Sequence, residues 1–278
     1  MATDYLAWTA DDGAALIAVP KDDDDKYSRG VLGVITGSTQ YPGAAVLGVE
    51  SALRTGVGMV RYLGPARPSE LALARRPEIV TTDGRVQAWL IGSGIASFEG
   101  SESADRMVEA IAQDVPVVLD GGAFELYSRA KGPVVITPHF RELARVTGDG
   151  LDTIAKDPAA AAARAADSLG VTVLLKGHVT YVAAPDGTRI SATGAPSWVA
   201  TAGAGDALGG VLGALVATHA DEVARDASML ARLAATASVL HGLAAERVSN
   251  GGPLTVLDLA EALSPTVADL LRARLPRR

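Results

Sequence analysis

The sequence predicts an α/β fold in which a central, mostly parallel sheet is flanked by helices on both faces, with a small antiparallel hairpin. Three observations carry this. Short, continuously apolar β-branched runs, of the kind that strands covered on both faces require, alternate with helical segments. The core must be built from Ala, Val, Leu and Ile, because 48% of residues are hydrophobic and only 4% aromatic. The thirty glycines cluster after apolar runs, where ligand loops of α/β folds sit.

In chain order, strands are expected at Val31–Ile35, Met59–Leu63, Ala88–Ile91, Val115–Leu119, Val134–Ile136 and Val171–Leu175. Helices are expected between them at Ala44–Thr55, Ser101–Gln113, Phe140–Thr147 and Pro158–Leu169. Ser101 reads as an N-cap with Met107, Val108 and Ile111 as the apolar stripe behind it, and Gly56 and Gly170 fall where C-caps belong. Beyond Leu175 the pattern changes. Val179–Ala184, the turn Pro185-Asp186-Gly187 and Thr188–Ser191 form a hairpin. Helices then follow at Ala207–Thr218, Asp226–Val248 and Leu254–Leu275, the last with a break at Pro265. No repeat or Pro/Ser-rich linker divides the chain, so residues 1–278 are read as one domain.

Composition excludes several classes of function. A net charge of −7 leaves no basic stripe to neutralise nucleic-acid phosphates. Arg272, Arg274, Arg277 and Arg278 read as cations complementing a terminal helix dipole. The absence of cysteine rules out disulfides, thiolate metal sites and cysteine nucleophiles. His178, His219 and His241 have no metal-like spacing, so no transition-metal site is expected. No apolar run is long enough to span a bilayer, and the first residues lack a basic-then-apolar leader, which points to the cytoplasm. Asp22 to Asp25, followed by Lys26, read as an exposed acidic loop.

The run Thr201-Ala202-Gly203-Ala204-Gly205-Asp206-Ala207-Leu208-Gly209-Gly210 is the most informative stretch. The uncharged helix that follows it would be buried, and its N-terminus offers unpaired N–H donors and a positive dipole to an anion. Glycine at 203 and 205 lets a phosphate approach the main chain without meeting a Cβ. Asp206 either caps this helix or deprotonates a substrate hydroxyl facing the phosphate.

In open parallel sheets, ligands collect beyond the carboxyl ends of the strands. Thr36-Gly37-Ser38-Thr39-Gln40-Tyr41-Pro42-Gly43-Ala44-Ala45 occupies such an end but lacks the Gly-Lys-Ser/Thr of a P-loop. Gly92-Ser93-Gly94 is either a ligand turn or a plain one. His139, in Thr137-Pro138-His139, is placed either for function or for pairing with Glu142 at a helix start. Lys176 can meet phosphate oxygens as a point charge or end its strand in water, while Gly177 lets the backbone turn beneath a nucleotide.

Taken together, from about Lys26 to Leu271, these segments resemble the ADP/ATP-dependent NAD(P)H-hydrate dehydratases of the ribokinase-like superfamily. Lys26-Tyr27-Ser28-Arg29-Gly30 is similar to the family's opening Lys-x-x-x-Gly. Gly37-Ser38, Tyr41 to Ala45 and Arg54-Thr55-Gly56-Val57-Gly58 resemble its substrate-side signature. Gly92-Ser93-Gly94 stands for its Gly-Pro-Gly, Thr137-Pro138-His139 with Glu142 for its Thr-Pro-His-Pro-Gly-Glu, and Leu175-Lys176-Gly177 for its nucleotide-side Lys-Gly. The Gly203–Gly210 run resembles the superfamily's anion hole and Asp, which sugar and vitamin kinases share. Three departures lie on the substrate side: Ser93 for Pro, Phe140-Arg141 for Pro-Gly, and Asp120-Gly121-Gly122-Ala123 for Asp-Ala-Asp-Ala.

The resemblance implies a ribokinase-like fold and a lyase that repairs hydrated NADH or NADPH of the S configuration. It uses ADP, as bacterial members do, or ATP, with magnesium. It implies Asp206 as the catalytic base, with Ala44, Gly94, His139 and Asp206 on the hydrated dinucleotide. Lys176, Gly177, His178, Val179, Thr180 and Gly205 would border the adenine nucleotide, and Gly203, Ala204 and Gly205 would form the anion hole. A homo-oligomer, a tetramer in the family's pattern, is implied as well. Two other readings remain: a small-molecule kinase of the same superfamily, which would release a stable phosphorylated product, and a nucleotide-binding regulator without turnover.

Overall fold

The computed structural model describes residues 4–274. The strands are β1 (Leu6–Ala7), β2 (Val31–Ile35), β3 (Met59–Tyr62), β4 (Ala88–Ile91), β5 (Val117–Leu119), β6 (Val134–Ile136), β7 (Thr172–Leu175), β8 (Thr180–Ala183) and β9 (Arg189–Ala192). They form one nine-stranded sheet in the order β1-β9-β8-β7-β6-β5-β4-β2-β3. From β7 through β3 every pairing is parallel, β8 pairs antiparallel with both β7 and β9, and β1 runs parallel to β9. The expected α/β class, mostly parallel sheet and hairpin are therefore all present.

The helices are α1 (Ala10–Ala15), α2 (Gly43–Thr55), α3 (Ala66–Arg75), α4 (Ala104–Ile111), α5 (Phe140–Thr147), α6 (Leu151–Lys156), α7 (Pro158–Leu169), α8 (Ala204–Thr218), α9 (Ala220–Arg225), α10 (Met229–Ser249) and α11 (Val256–Arg274). Alternation along each strand divides them between two faces. Leu32, Val34, Leu90, Val118, Val135 and Leu174 pack with α2, α8, α10 and α11 on one side. Val31, Ile35, Ile91, Val117, Leu119 and Ile136 pack with α4, α5 and α7 on the other.

The anion-facing helix α8 is set by a close crossing on α2. A Cβ on Gly210 would lie 2.2 Å from the Gly48 carbonyl oxygen, so the two backbones touch without side chains between them. Glu50 of α2 is fully buried and pairs with Arg54, Arg75 and Arg76, which ties α2 to α3 and the chain just after it. The acidic segment from Asp22 turns back on itself, with the Asp24 and Asp25 carboxylates accepting from backbone N–H groups nearby.

Several expected boundaries move. β5 starts at Val117 rather than Val115, because Pro116 has no N–H for the ladder. The α4 N-cap is Ser103, and Ser101 instead accepts from the Ser103 amide. α8 begins at Ala204, three residues early, because Gly203 takes the left-handed conformation and starts the helix. Helix α11 continues through Pro265 with no break. Buried Leu259 and Leu263 before that proline, and Thr266 after it, anchor both halves against the core. Gly56 and Gly170 are the left-handed C-caps of α2 and α7. Arg272 pairs with Asp269 and Arg274 donates to the Ala14 carbonyl, whereas Arg277 and Arg278 lie outside the described residues. No helix among the described residues is long and apolar enough to cross a membrane.

Candidate active site

Four neighbouring parallel strands deliver polar residues from their carboxyl ends to one place. β4 leads into Ser93, β5 into Asp120, β6 into Thr137 and β7 into Lys176. Asp120 is buried and is the hub of this group. It accepts from Ser93 Oγ at 3.0 Å, Thr137 Oγ1 at 2.7 Å and Lys176 Nζ at 3.0 Å. The Lys176 ammonium also lies 3.8 Å from Glu142 Oε2. Burial pulls its pKa down, but the charges of Asp120, Glu142 and Asp206 outweigh that and hold it above the ordinary lysine value.

The N-terminus of α8 faces this cluster. Gly203 is its N-cap at φ 92°, and a Cβ there would lie 2.5 Å from Leu47 Cδ1, so a side chain would be strained in conformation and would have to displace Leu47. The Ala204 amide leans toward the Thr201 carbonyl at 3.3 Å. Among the described residues the Gly205 and Asp206 amides have no backbone partner, and these are the donors the helix end presents. A Cβ on Gly205 would meet only Lys176 Nζ, at 3.3 Å. The ammonium therefore stands over the helix end where an anion would be held.

Asp206 is in the first turn of α8, and the cap position belongs to Gly203, so Asp206 is not the capping residue. Its pKa is pushed up to about 6, chiefly by burial, further by the Asp120 carboxylate, and against the opposing pull of Lys176. A carboxyl so tuned is ready to accept a proton near neutral pH.

Two cavities meet at this wall. The smaller, about 270 Å³, is bordered by Tyr41, Gly94, Ile95, Asp120, Glu142 and Asp206. The larger, about 590 Å³, is bordered by His139, Gly177, His178, Thr180, Ser238 and His241, and by the 195–201 segment. Lys176 and Gly205 line both.

The sequence-derived site residues distribute as follows. Gly94 and Asp206 border the smaller cavity, while Ala44 is buried behind Gly94, where a Cβ on Gly94 (φ 68°) would lie 2.4 Å from the Ala44 Cβ. His139 borders the larger cavity. Its Nδ1 accepts from the Glu142 amide at 3.2 Å and Glu142 accepts from the His139 amide at 2.8 Å, the helix-start pair of α5. Gly177, His178 and Thr180 join Lys176 and Gly205 around the larger cavity, and Val179 does not border it. Sequence reasoning passed over Ser93, Thr137 and Asp120 as a connected cluster, and His241 as a wall of the larger cavity. For Asp120 a signal existed, an acidic residue at a strand's carboxyl end, whereas His241 lies within a long helix and gives none.

Among the described residues no group of three or more His, Asp or Glu side chains could enclose a metal ion. A further cavity of about 530 Å³, bordered by Lys21, Arg29, Arg85 and Arg225, lies at the amino ends of the strands, away from these residues.

The chain is similar to known proteins in sequence and in fold. A family model, Carb_kinase, described as NAD(P)H-hydrate dehydratase, matches residues 32–265. The bifunctional NAD(P)H-hydrate repair enzyme Nnr of Mycobacterium tuberculosis is 41% identical over 228 residues, which is 78% of this chain and 47% of that protein. The chain thus spans about half the length of the mycobacterial relatives it matches. The ADP-dependent (S)-NAD(P)H-hydrate dehydratase of Neisseria meningitidis is 30% identical over 274 residues, covering 92% of this chain and 89% of that protein. Among solved structures, the ADP/ATP-dependent NAD(P)H-hydrate dehydratase of Bacillus subtilis, co-crystallised with ATP and Mg2+, superposes with a TM-score of 0.86 at 26% identity, covering 97% of this chain and all of that one. On the family match, the sequence relatives and the shared fold, the chain belongs to the NAD(P)H-hydrate dehydratase family.

Proposed function

We propose that the chain is an ADP- or ATP-dependent dehydratase that restores NADH or NADPH from the S form of the hydrated cofactor. The observation that carries this reading is the shared wall: Lys176 and Gly205 line both cavities, and Asp206 faces the smaller one. A phosphoryl group held at the α8 N-terminus from the larger side is presented to a hydroxyl arriving from the smaller side. The larger cavity, at about 590 Å³, is in the range that takes a nucleotide. The smaller, at about 270 Å³, takes the hydrated nicotinamide end and leaves the rest of the dinucleotide on the surface.

Water leaves poorly from C6 of the reduced ring. In the proposed sequence Asp206 takes the proton of the C6 hydroxyl as its oxygen attacks the terminal phosphorus, and the bond to the departing nucleotide breaks. The ring nitrogen's electron pair then expels phosphate from C6, leaving an iminium cation, and loss of a proton from C5 to solvent restores the C5–C6 double bond of the reduced cofactor. The Gly205 and Asp206 amides and Lys176 hold the charge on the phosphoryl oxygens. His178, Gly177 and Thr180 border the nucleotide, with Gly203 shaping the loop and Gly94, backed by Ala44, bordering the hydrated ring.

Magnesium fits a site of this kind as a companion of the nucleotide, because the described residues offer it the carboxylates of Asp206 and Asp120 and no cage of three or more ligands. It would supply charge neutralisation on the phosphoryl oxygens. A cytoplasmic place and assembly into a homo-oligomer, a tetramer by family pattern, belong to the same proposal; light scattering of the purified chain tests the assembly.

The test is to mix the protein with hydrated NADH, magnesium and either ADP or ATP and follow the reduced-nicotinamide absorbance together with phosphate release. Recovery of absorbance matched by phosphate supports the reading. A stable phosphorylated product without recovery assigns the chain to the kinases, and binding without product assigns it to non-catalytic nucleotide binders.

A further inference from the structure

The smaller cavity holds one end of a dinucleotide, and a neighbouring cavity that the proposed chemistry does not use adjoins it. This neighbour, of about 410 Å³, opens at the surface between residues 38–40 and 95–102 and shares Ile95 and Ala96 with the smaller cavity. Ser38 ties the two together, since its hydroxyl donates to the Gly94 carbonyl at 2.9 Å and accepts from the Tyr41 amide at 3.0 Å. A pocket of about 110 Å³ also meets the smaller cavity, at Gly121, but is too small for a nucleoside. The charge on the 410 Å³ cavity is of one sign. Glu99 and Glu102 border it, and no Lys, Arg or His does. Glu102 is held across the cavity, with Oε1 accepting from Thr39 Oγ1 at 2.8 Å. Its Oε2 makes no hydrogen bond among the described residues, and the residue is exposed, so a ligand can reach the carboxylate. Two cations of the surrounding elements are engaged elsewhere: Arg106 pairs with Asp83 at 2.9 Å, and Arg129 lies over the Phe98 ring. Arg67, two residues beyond Pro65 of the cavity wall, does not border it.

We infer that this cavity receives the adenosine end of the hydrated dinucleotide and that Glu102 accepts from its ribose 2′-hydroxyl, so that the chain selects hydrated NADH over hydrated NADPH. An ionised carboxylate only accepts, which matches a sugar hydroxyl. The 2′-phosphate that distinguishes NADPH carries no proton to give at neutral pH, and it would face two carboxylates with no cation on the cavity wall to offset them. The pyrophosphate is common to both hydrates, so its charge cancels in the comparison between them. The inference rests on the dehydratase reading and specifies which of its two substrates the site is built for.

The test is kcat/KM for the S forms of hydrated NADH and hydrated NADPH, with magnesium and saturating nucleotide, in the unaltered protein, Glu102→Gln, the double variant Glu99→Gln/Glu102→Gln, and Arg67→Ala. The unaltered protein should favour hydrated NADH by about 10-fold, the value of one hydrogen bond to a charged group at an exposed site. Glu102→Gln, which keeps a partner for Thr39 but loses the charge, should reduce the preference to about 3-fold or less. The double variant should abolish it, and Arg67→Ala should leave it in place. Both hydrates are measured on the same sample, so any loss of folded protein cancels in the ratio. Equal values in the unaltered protein, a preference for hydrated NADPH, or a preference undiminished in the double variant overturns the inference while leaving the dehydratase reading intact. If neither hydrate is turned over, the dehydratase reading fails and the inference falls with it.

Discussion

Lys176 donates to Asp120 across 3.0 Å, and the same ammonium stands where it lines both cavities. The lysine is thus fixed from the sheet side by a carboxylate that Ser93 and Thr137 also hold. Asp120 acts on Asp206 through its charge as well, since that charge is one of the causes raising the Asp206 pKa. Asp120→Asn removes the repulsion and frees Lys176 to pair with Asp206. Both effects lower the Asp206 pKa, so the acid limb of the rate profile should move down by roughly 0.5–1 pH unit. An unmoved limb, or one displaced upward, would show that Asp120 only holds the lysine.

For the unaltered protein, the same profile has a defined position. Asp206 must be unprotonated to accept a proton, and its pKa lies at about 6. kcat/KM for hydrated NADH should therefore rise with pH and level off above a midpoint near 6. A flat profile across that range contradicts a titrating base at this position.

Asp206 also carries a stability cost with a definite sign. Its folded pKa, about 6, lies above the ordinary 3.8, so its contribution to stability is fully present below 3.8 and is lost as pH rises through 6. Asp206→Asn should accordingly be more stable than the unaltered protein at pH 8, by roughly 1–3 kcal/mol, with the advantage shrinking toward pH 4. Thermal unfolding at the two pH values measures this; equal melting temperatures at pH 8 would mean the carboxylate is not strained.

The two glycines at the start of α8 should fail differently. Gly205→Val places its Cβ 3.3 Å from Lys176 Nζ and meets no backbone, so the fold should survive and nucleotide affinity should fall by about tenfold or more. Gly203→Ala imposes a side chain at φ 92° and 2.5 Å from Leu47 Cδ1, so stability should fall by about 1–3 kcal/mol. Paired measurements of melting and nucleotide binding separate them, and a stable Gly205→Val protein with unchanged affinity would mean no phosphate lies against Gly205.

The sheet was legible because its strands are buried on both faces and so read as unbroken apolar runs, as in Val31–Ile35 and Ala88–Ile91. Helix α5 was legible in its bounds because His139 and Glu142 start it and Gly148 ends it in the left-handed conformation. β1 left no signal, since Leu6 and Ala7 are exposed and too few to show a period. α3 was hidden by Pro65 and Pro68 around its start and by a stripe with only Pro68 and Ala72 buried. Pro265 misled because packing on both sides of it outweighs its missing hydrogen bond. In the site, the single motifs at the ends of β6, β7 and α8 could be read along the chain. Their convergence on Asp120 could not, since it depends on the β7-β6-β5-β4 strand order.

The most direct measurement is the turnover of hydrated NADH by Asp206→Asn beside the unaltered protein, at pH 8 with saturating nucleotide and magnesium, with nucleotide affinity measured on the same samples. Turnover should fall by about 10²–10⁴-fold while the nucleotide still binds, the loss expected when a general base is removed. Turnover close to that of the unaltered protein would take the proton transfer away from Asp206 and contradict the mechanism at its centre.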